Sequence, residues 1–119
     1  CIYYGTELAL TVGPDPDCRR CMPWERVSSD NDMLNFMKKL IQIRKYASAI
    51  IPHGKYNLKE IKADVVALEW TYEGRVLKAI FNQSREEYLL EKEVVALASN
   101  CQELENQLVI SPKGFVIFH

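Results

Sequence analysis

Asp15 and Arg19 lie four residues apart in a polar segment, GPDPDCRR, and could act together in binding a polar ligand. A carboxylate accepts hydrogen bonds and a guanidinium donates them in a fixed fork, and the two charges strengthen both kinds of bond. Pro16, which lies between them, limits the conformations that the loop would give up on binding. The same pair could also only tie down the loop, and the two roles can coexist.

A second candidate chemistry is a metal or redox site, because Cys18 and Cys21 form a Cys-x-x-Cys motif in the same segment. A structural zinc needs four tetrahedral ligands, and only scattered residues could complete the set. These are Cys1, Cys101, His53 and His119. A catalytic dithiol normally opens a helix after a strand, whereas neighbouring prolines favour irregular loop here. We therefore expect reduced thiols, no bound metal and no cofactor.

The elements on either side must position this loop, and the first is predicted to be a strand. Ile2, Tyr3 and Tyr4 form an apolar run without charge before Gly5, which is typical of a strand covered on both faces in a parallel sheet. Such a strand needs neighbours, and no further βαβ unit follows it. We therefore expect the chain to be a piece of a larger protein. An unpaired strand would also pair with a second copy or fold onto the rest of the chain, which predicts a homo-oligomer.

From Ser28 to Ser48 the apolar residues follow a helical period. The predicted stripe contains Met33, Phe36, Met37, Leu40, Ile43 and Ala47, widened by Leu34 and Ile41. A residue of the segment Ser29–Asn31 can accept from the free amides of the first turn. Arg44 and Lys45 suit the negative pole at the other end of the helix.

After Gly54 the period falls to two, and the run Val66–Tyr72 is followed by Glu73-Gly74 and a return run, Arg75–Asn82. This pattern predicts a hairpin with a tight two-residue turn, because glycine accepts a positive φ. Trp70 and Tyr72 share the apolar face, which indicates core packing. Further strands are expected at Glu87–Leu90, Val94–Ala98, Gln107–Ile110 and Gly114–Phe118.

These elements predict an α+β chain that is mainly β, with a domain boundary near Ala49–Gly54 and an antiparallel β-sandwich after it. Charged residues are 26% of the 119, apolar residues are 48%, and the formal net charge is -1, as in ordinary soluble globular proteins. Acidic residues flank the basic group on the predicted helix, so no nucleic-acid partner is expected. No apolar run is long enough to span a bilayer.

Three segments in order, IYYGTE, GPDPDCRR and MPW, resemble the α-amylase superfamily, glycoside hydrolase family 13. The resemblance is greatest to the neopullulanase, cyclomaltodextrinase and maltogenic amylase group. It implies that residues 1–50 are the last strand, substrate-binding loop and helix of a (β/α)8 barrel. It also implies that residues 51–119 are the antiparallel β-sandwich called domain C.

The same resemblance implies a retaining hydrolase of α-1,4 linkages in cyclomaltodextrins, pullulan or maltooligosaccharides, located in the cytoplasm. Its two catalytic carboxylates would lie upstream, so none is assigned here and the chain alone is expected to be inactive. Asp15 and Arg19 match the family residues that bind hydroxyls of a glucose unit on the non-reducing side of the cleaved bond. Tyr4 and Trp24, with Tyr3, are candidates for stacking on sugar faces, although packing roles are as common. An alternative is a non-catalytic β-sandwich module that binds starch-like glucans.

Overall fold

The computed structural model describes residues 2–119, which form two compact units. The first ends at Gln42 and the second is Ile43–His119. The division falls inside α1 (Asp32–Ala47), the one α-helix of the described residues. This division precedes the domain boundary that the sequence predicts near residues 49–54. That domain boundary stays a prediction.

The first unit is mostly loop and contains short 3-10 turns at Thr6–Leu8, Asp17–Arg19 and Trp24–Arg26. The strand predicted at Ile2–Tyr4 is wrong, since this stretch belongs to no strand and Ile2 and Tyr3 are 59% and 58% exposed. A strand forms only by pairing, and this unit contains none of the described strands.

Instead of extending, the chain turns at Gly5, where φ is 83°, a value that glycine adopts without strain. The amide of Thr6 donates to the carbonyl of Tyr3 at 3.1 Å and closes the turn. The homo-oligomer that was to form through an N-terminal strand stays an untested prediction, and the described residues contain no such strand.

The predicted helix is confirmed as α1, and its start is marked by Asn31. The side-chain oxygen of Asn31 accepts from the amide of Leu34 at 2.9 Å, so this residue caps one of the free donors of the first turn. Met37, Ile43 and Ala47 are buried, as the periodicity predicts. Ile41, which was expected to widen the buried face, is exposed.

The second unit contains six strands that form one antiparallel sheet. The strands are β1 (Lys55–Lys62), β2 (Val65–Tyr72), β3 (Arg75–Asn82), β4 (Tyr88–Glu91), β5 (Val95–Glu103) and β6 (Gln107–Phe118). Their order is β1-β2-β3-β6-β4, and β5 also pairs with β6. The antiparallel, mainly β architecture predicted from the sequence is confirmed, while its assignment to the end of a barrel and domain C stays a proposal.

The β2–β3 hairpin is confirmed, with Tyr72 paired to Arg75 across a two-residue turn. Glu73 and Gly74 have φ values of 48° and 77°, the two positive values that a tight turn matching the strand twist requires. The edge strand β1 was missed by sequence reasoning. All eight of its residues are exposed, so burial imposes no clear apolar alternation on it.

One long strand, β6, replaces the two strands expected at Gln107–Ile110 and Gly114–Phe118. Its first half pairs with β4 and its second half with β3, while β5 runs beside both halves. Lys113, with φ 60°, marks the irregularity that separates the halves. Pro112 and Gly114, which suggest a break, therefore lie where the pairing partners change and do not end the strand.

The core of this unit is a cluster contributed mainly by β2, β3 and β6, with β4 and β5 packed against it. Its buried members are Val65, Ala67, Ile80, Leu108, Ile110, Val116 and Phe118. Leu77 and Ala79, on the opposite face of β3 from Ile80, are buried too, so β3 is covered on both faces. Within residues 2–119, no helix combines the length and apolar character that crossing a membrane requires.

One fully buried polar residue, Asn82, connects the end of β3 to the rest of the sheet. Its amide nitrogen donates to the carbonyl of Ile110 at 2.7 Å and to that of Glu86 at 2.8 Å. Its oxygen accepts from the amide of Ser84 at 3.0 Å and from the Ser84 hydroxyl at 2.6 Å. A buried amide whose donors and acceptor are all used fixes the geometry of the strands that it joins.

Candidate sugar-binding loop

Asp15 and Arg19, the residues predicted to bind substrate, are brought together by a 3-10 turn of the first unit. The amide of Asp17 donates to the carbonyl of Pro14 at 2.8 Å, and the amide of Arg19 donates to that of Pro16 at 3.0 Å. This backbone places Arg19 Nη2 2.6 Å from Asp15 Oδ1. The two side chains form an ion pair that faces solvent, with 65% of Arg19 and 67% of Asp15 exposed.

A second ion pair, Asp17 with Arg20, lies immediately beside the first. Arg20 donates from Nε to Asp17 Oδ1 at 2.5 Å and from Nη2 to Asp17 Oδ2 at 2.6 Å. The contact is therefore bidentate, the arrangement in which guanidinium and carboxylate bind each other most specifically. Sequence reasoning missed this pair, although a second aspartate and a second arginine were visible in the same segment.

The second pair also binds the backbone of the loop (residues 11–20). Asp17 Oδ2 accepts from the amide of Gly13 at 2.8 Å, and Arg20 Nη1 donates to the carbonyl of Thr11 at 2.9 Å. The carbonyl of Arg20 in turn accepts from the hydroxyl of Tyr4 at 2.7 Å. Asp17 and Arg20 therefore hold the backbone at Thr11 and Gly13 against the 3-10 turn, and Tyr4 binds the backbone at the end of that turn.

The two pairs differ in what they leave available to a ligand. Arg19 uses only Nη2, and among residues 2–119 its other guanidinium nitrogens and Asp15 Oδ2 make no further hydrogen bond. The free groups are the donor nitrogens Nε and Nη1 and one acceptor oxygen, on two side chains that face solvent. This arrangement suits a ligand with neighbouring hydroxyl groups, each of which can both donate and accept.

The charges of the second pair stabilise each other. The hydrogen bond from Arg20 lowers the pKa of Asp17 below its ordinary 3.8, and the amide of Gly13 acts in the same direction. Asp17 raises the pKa of the Arg20 guanidinium by the same hydrogen bond and by its charge. Both groups are therefore charged at neutral pH.

The aromatic candidates, Tyr4 and Trp24, lie in the same unit but differ in their surroundings. The Tyr4 hydroxyl is used by the Arg20 carbonyl, and its ring lies 4.5 Å from that of Tyr3 between centroids. Partial desolvation, and then Tyr3, raise the pKa of Tyr4. Trp24 is 73% exposed, so its ring faces are accessible to a sugar.

Tyr3 and Tyr4 also form one side of an apolar groove of about 390 Å³ in the first unit. The opposite side comes from α1, through Leu34, Met37 and Ile41. Glu7 is at its edge, and its side chain makes no hydrogen bond with any residue in the described part of the chain. Nothing in this geometry gives Glu7 the partner carboxylate that glycoside hydrolysis would require.

The cysteines take no part in a visible metal cluster. Within residues 2–119, no group of three or more His, Cys, Asp or Glu side chains is arranged to hold a metal ion. Cys18, Cys21 and Cys101 are not in disulfides. The thiol of Cys18 donates to Asp15 Oδ1 at 3.4 Å, and burial raises the pKa of Cys101. Cys1, the remaining predicted ligand, lies outside the described residues.

Comparison with known proteins shows relatives of one kind, although no protein-family model matches the chain. The intracellular maltogenic amylase of Bacillus subtilis (strain 168) is 42% identical over 85 residues, which are 70% of this chain and 14% of that protein. The cyclomaltodextrinase of Thermoanaerobacter pseudethanolicus is 35% identical over 94 residues, which are 78% of this chain and 16% of that protein.

Solved structures give the same result. The maltogenic amylase from S. marinus matches with a TM-score of 0.70 and 25% identity, over 98% of this chain and 16% of that one. The chain thus spans 14% to 16% of the length of these proteins. The match covers nearly every residue described here, and the sequence matches cover most of them. On these similarities, this chain belongs to the α-amylase family, glycoside hydrolase family 13, as a relative of the maltogenic amylases and cyclomaltodextrinases.

Proposed function

We propose that this chain is the end of the catalytic barrel and the following β domain of a retaining α-glucan hydrolase. The substrates would be α-1,4 linkages of cyclomaltodextrins, pullulan or maltooligosaccharides, and the location would be the cytoplasm. The names of the relatives support both the substrates and the location, since one relative is an intracellular maltogenic amylase and another is a cyclomaltodextrinase. Because the chain spans 14% to 16% of the length of these relatives, we propose that the activity belongs to a longer polypeptide.

The main support for this proposal is the solvent-facing Asp15–Arg19 pair. It lies on a loop whose backbone is held by hydrogen bonds to Asp17 and Arg20. In the proposed enzyme, Asp15 accepts from adjacent hydroxyls of one glucose unit and Arg19 donates to them from its free nitrogens. The loop then holds the glucan on the non-reducing side of the scissile bond. Retaining hydrolysis needs two carboxylates about 5 Å apart, and on this proposal both come from the preceding part of the barrel.

The second unit has a structural role in this proposal. Its sheet supplies a core of its own, and it also contains the last turn of α1, the helix that follows the binding loop. The ring of Tyr46 in that turn lies 4.6 Å from the ring of His119 between centroids, and through this contact the unit would hold the carboxyl-terminal end of the helix. We propose no catalytic residue in this unit.

The test compares the longer polypeptide with this chain alone on β-cyclodextrin, measuring the maltose and glucose released. We expect product only from the longer polypeptide. In that polypeptide, Asp15→Ala should raise KM with little change in kcat, since the loop contributes binding and not the reacting groups. Release of maltose by the chain alone would overturn the placement of the catalytic carboxylates.

A second candidate function, a glucan-binding module, is favoured by one observation in the second unit. The rings of Tyr56 on β1 and Trp70 on β2 are 5.0 Å apart between centroids, and Tyr56 is 55% exposed. Sequence reasoning grouped Trp70 with Tyr72, but the Tyr72 ring lies against His53 instead. A partly exposed aromatic pair is a surface on which a sugar face can stack.

Calorimetric titration of the chain with maltoheptaose separates the two candidates. If the loop is the binding site, the heat disappears in Asp15→Ala and survives in Tyr56→Ala. If the sheet is a binding module, the heat disappears in Tyr56→Ala and survives in Asp15→Ala. Leu58→Ala is the matched control, because Leu58 is an exposed residue of the same strand without an aromatic ring.

A further inference from the structure

The Asp17–Arg20 pair makes hydrogen bonds to the backbone of the binding loop and has fewer free groups for a ligand than the Asp15–Arg19 pair. We propose that Asp17 and Arg20 are positioning residues that set the orientation of Asp15 and Arg19 toward the glucan. This inference rests on the proposed function of the loop and extends it to residues that do not touch the sugar.

The first argument is that all three guanidinium nitrogens of Arg20 already donate a hydrogen bond within the loop. Its Nε and Nη2 donate to Asp17, and its Nη1 donates to the carbonyl of Thr11 at 2.9 Å. A guanidinium engaged at all three nitrogens is held in one orientation. Arg19, its neighbour in sequence, is engaged only at Nη2, so the adjacent arginines divide into one that fixes the loop and one that faces solvent.

The second argument is that Asp17 joins the backbone before Asp15 to the turn that contains Arg19. Its carboxylate accepts from the amide of Gly13, two residues before Asp15, while Arg20 follows Arg19 directly. A shift of the Asp17 carboxylate would therefore move the stretch that carries both binding residues. Displacements of about 1 Å at a binding group can cost up to about a hundredfold in rate, so this control of position has functional weight.

The third argument comes from a comparison within the same chain. Lys62 and Glu86 also form an ion pair between exposed side chains, at 3.0 Å. In that pair one ammonium nitrogen meets one carboxylate oxygen, and the Lys62 ammonium makes no hydrogen bond to backbone within the described residues. An isolated surface pair of this kind does little to order a loop, whereas the Asp17–Arg20 pair adds bonds to Gly13 and Thr11.

The test is a double-mutant cycle in the longer polypeptide, with Asp15→Ala, Arg20→Met and the combination, assayed on maltoheptaose. Methionine keeps much of the length of the arginine stem and removes the fork. We expect Arg20→Met to raise KM by about tenfold and to leave kcat within about twofold. In the Asp15→Ala background it should have almost no further effect, because it acts through Asp15. Arg20→Lys, which keeps the charge and one donor nitrogen, should recover part of the loss.

Lys62→Met is the matched control and should leave the kinetics unchanged. Additive losses from Arg20→Met and Asp15→Ala, or a fall in kcat with unchanged KM, would mean a merely structural role and would overturn the inference. If Arg20→Met shows normal kinetics while Asp15→Ala raises KM, the inference about Arg20 is wrong and the proposed function of the loop is unaffected. Normal kinetics in Asp15→Ala would refute the proposed function itself. If Arg20→Met does not fold, the isosteric Asp17→Asn tests the same contact with the same outcomes.

Discussion

Arg19 Nη2 lies 2.6 Å from Asp15 Oδ1, yet about two thirds of each side chain faces solvent. An ion pair this exposed contributes little to stability, because water screens the charges and both side chains lose rotamer freedom. Its donors and acceptors, however, remain accessible to a ligand. Substitutions in this pair should therefore change ligand binding and leave the stability of the chain nearly unchanged, so mutagenesis can test the role of the loop.

We predict that Arg19→Gln leaves the free energy of unfolding of the chain within about 0.5 kcal/mol of the original value. The same substitution in the longer polypeptide should raise KM for maltooligosaccharides about tenfold, since the amide lacks the charge and the fork of the guanidinium. Urea unfolding and steady-state kinetics measure the two quantities. Lys62→Gln, at another exposed ion pair, is the control and should change neither. A large loss of stability in Arg19→Gln would show that the pair mainly ties down the loop.

The second prediction concerns pH and follows from the Asp17 carboxyl. The hydrogen bond from Arg20 lowers its pKa below the ordinary value of 3.8 in the folded chain. A lowered pKa means that the folded state favours the charged form. The pair therefore stabilises the fold at pH values above the ordinary pKa, and this contribution is lost as the pH falls through the lowered one.

We therefore expect the melting temperature of Asp17→Asn to lie below that of the parent chain at neutral pH and to approach it in acid. A series of thermal melts of both proteins from about pH 7 to about pH 2 measures this difference. Repeating the series in about 1 M salt should shrink the difference at neutral pH, since both side chains are partly exposed. A gap in melting temperature that stays constant down to the most acidic point would contradict the assignment.

Much of the fold could be predicted from sequence because burial imposes periodicity. The helix at Asp32–Ala47 and the β2–β3 hairpin are confirmed, and the helix buries residues at the predicted positions. In β2, however, the buried residues are Val65 and Ala67, whereas Trp70 and Tyr72, which the alternation places in the core, are only partly buried. The edge strand β1 was missed because all of its residues are exposed. The strand predicted at Ile2–Tyr4 failed for the opposite reason, since apolar composition cannot provide the neighbouring strands that pairing requires.

The candidate site could be predicted only in part. Spacing and residue type identified Asp15 and Arg19, which the structure places 2.6 Å apart. Spacing could not show that Asp17 and Arg20 form the better connected pair, because that depends on where the amide of Gly13 and the carbonyl of Thr11 lie. Residue types show which side chains can bind backbone groups, but the sequence does not show which backbone groups they bind.

The third prediction concerns the buried side chain of Asn82. Asn82→Ala removes the donors to the carbonyls of Ile110 and Glu86 and leaves a cavity. The Glu86 carbonyl keeps the Ser84 hydroxyl as a donor, whereas the Ile110 carbonyl loses its only side-chain donor among the described residues. We expect a loss of about 2 to 4 kcal/mol in the free energy of unfolding, which combines lost hydrogen bonds with lost packing. Urea unfolding of the chain measures it. Asn57→Ala, at an exposed position of β1, should cost no more than about 0.5 kcal/mol. Equal effects of the two substitutions would show that the Asn82 network does not stabilise the sheet.

The last prediction concerns the β2–β3 turn, where Glu73 has a φ of 48°. The left-handed region is sterically less favourable for glutamate than for asparagine. Asn-Gly is also the preferred pair for tight hairpin turns. Glu73→Asn should therefore stabilise the chain by about 0.5 to 1 kcal/mol, seen as a higher urea midpoint with an unchanged slope. Glu105→Asn is the matched control, because Glu105 is not among the positive-φ residues of the described chain and should gain nothing. A gain of equal size at both positions would trace the effect to the lost negative charge, and no gain at Glu73 would mean that the turn carries no strain for asparagine to relieve.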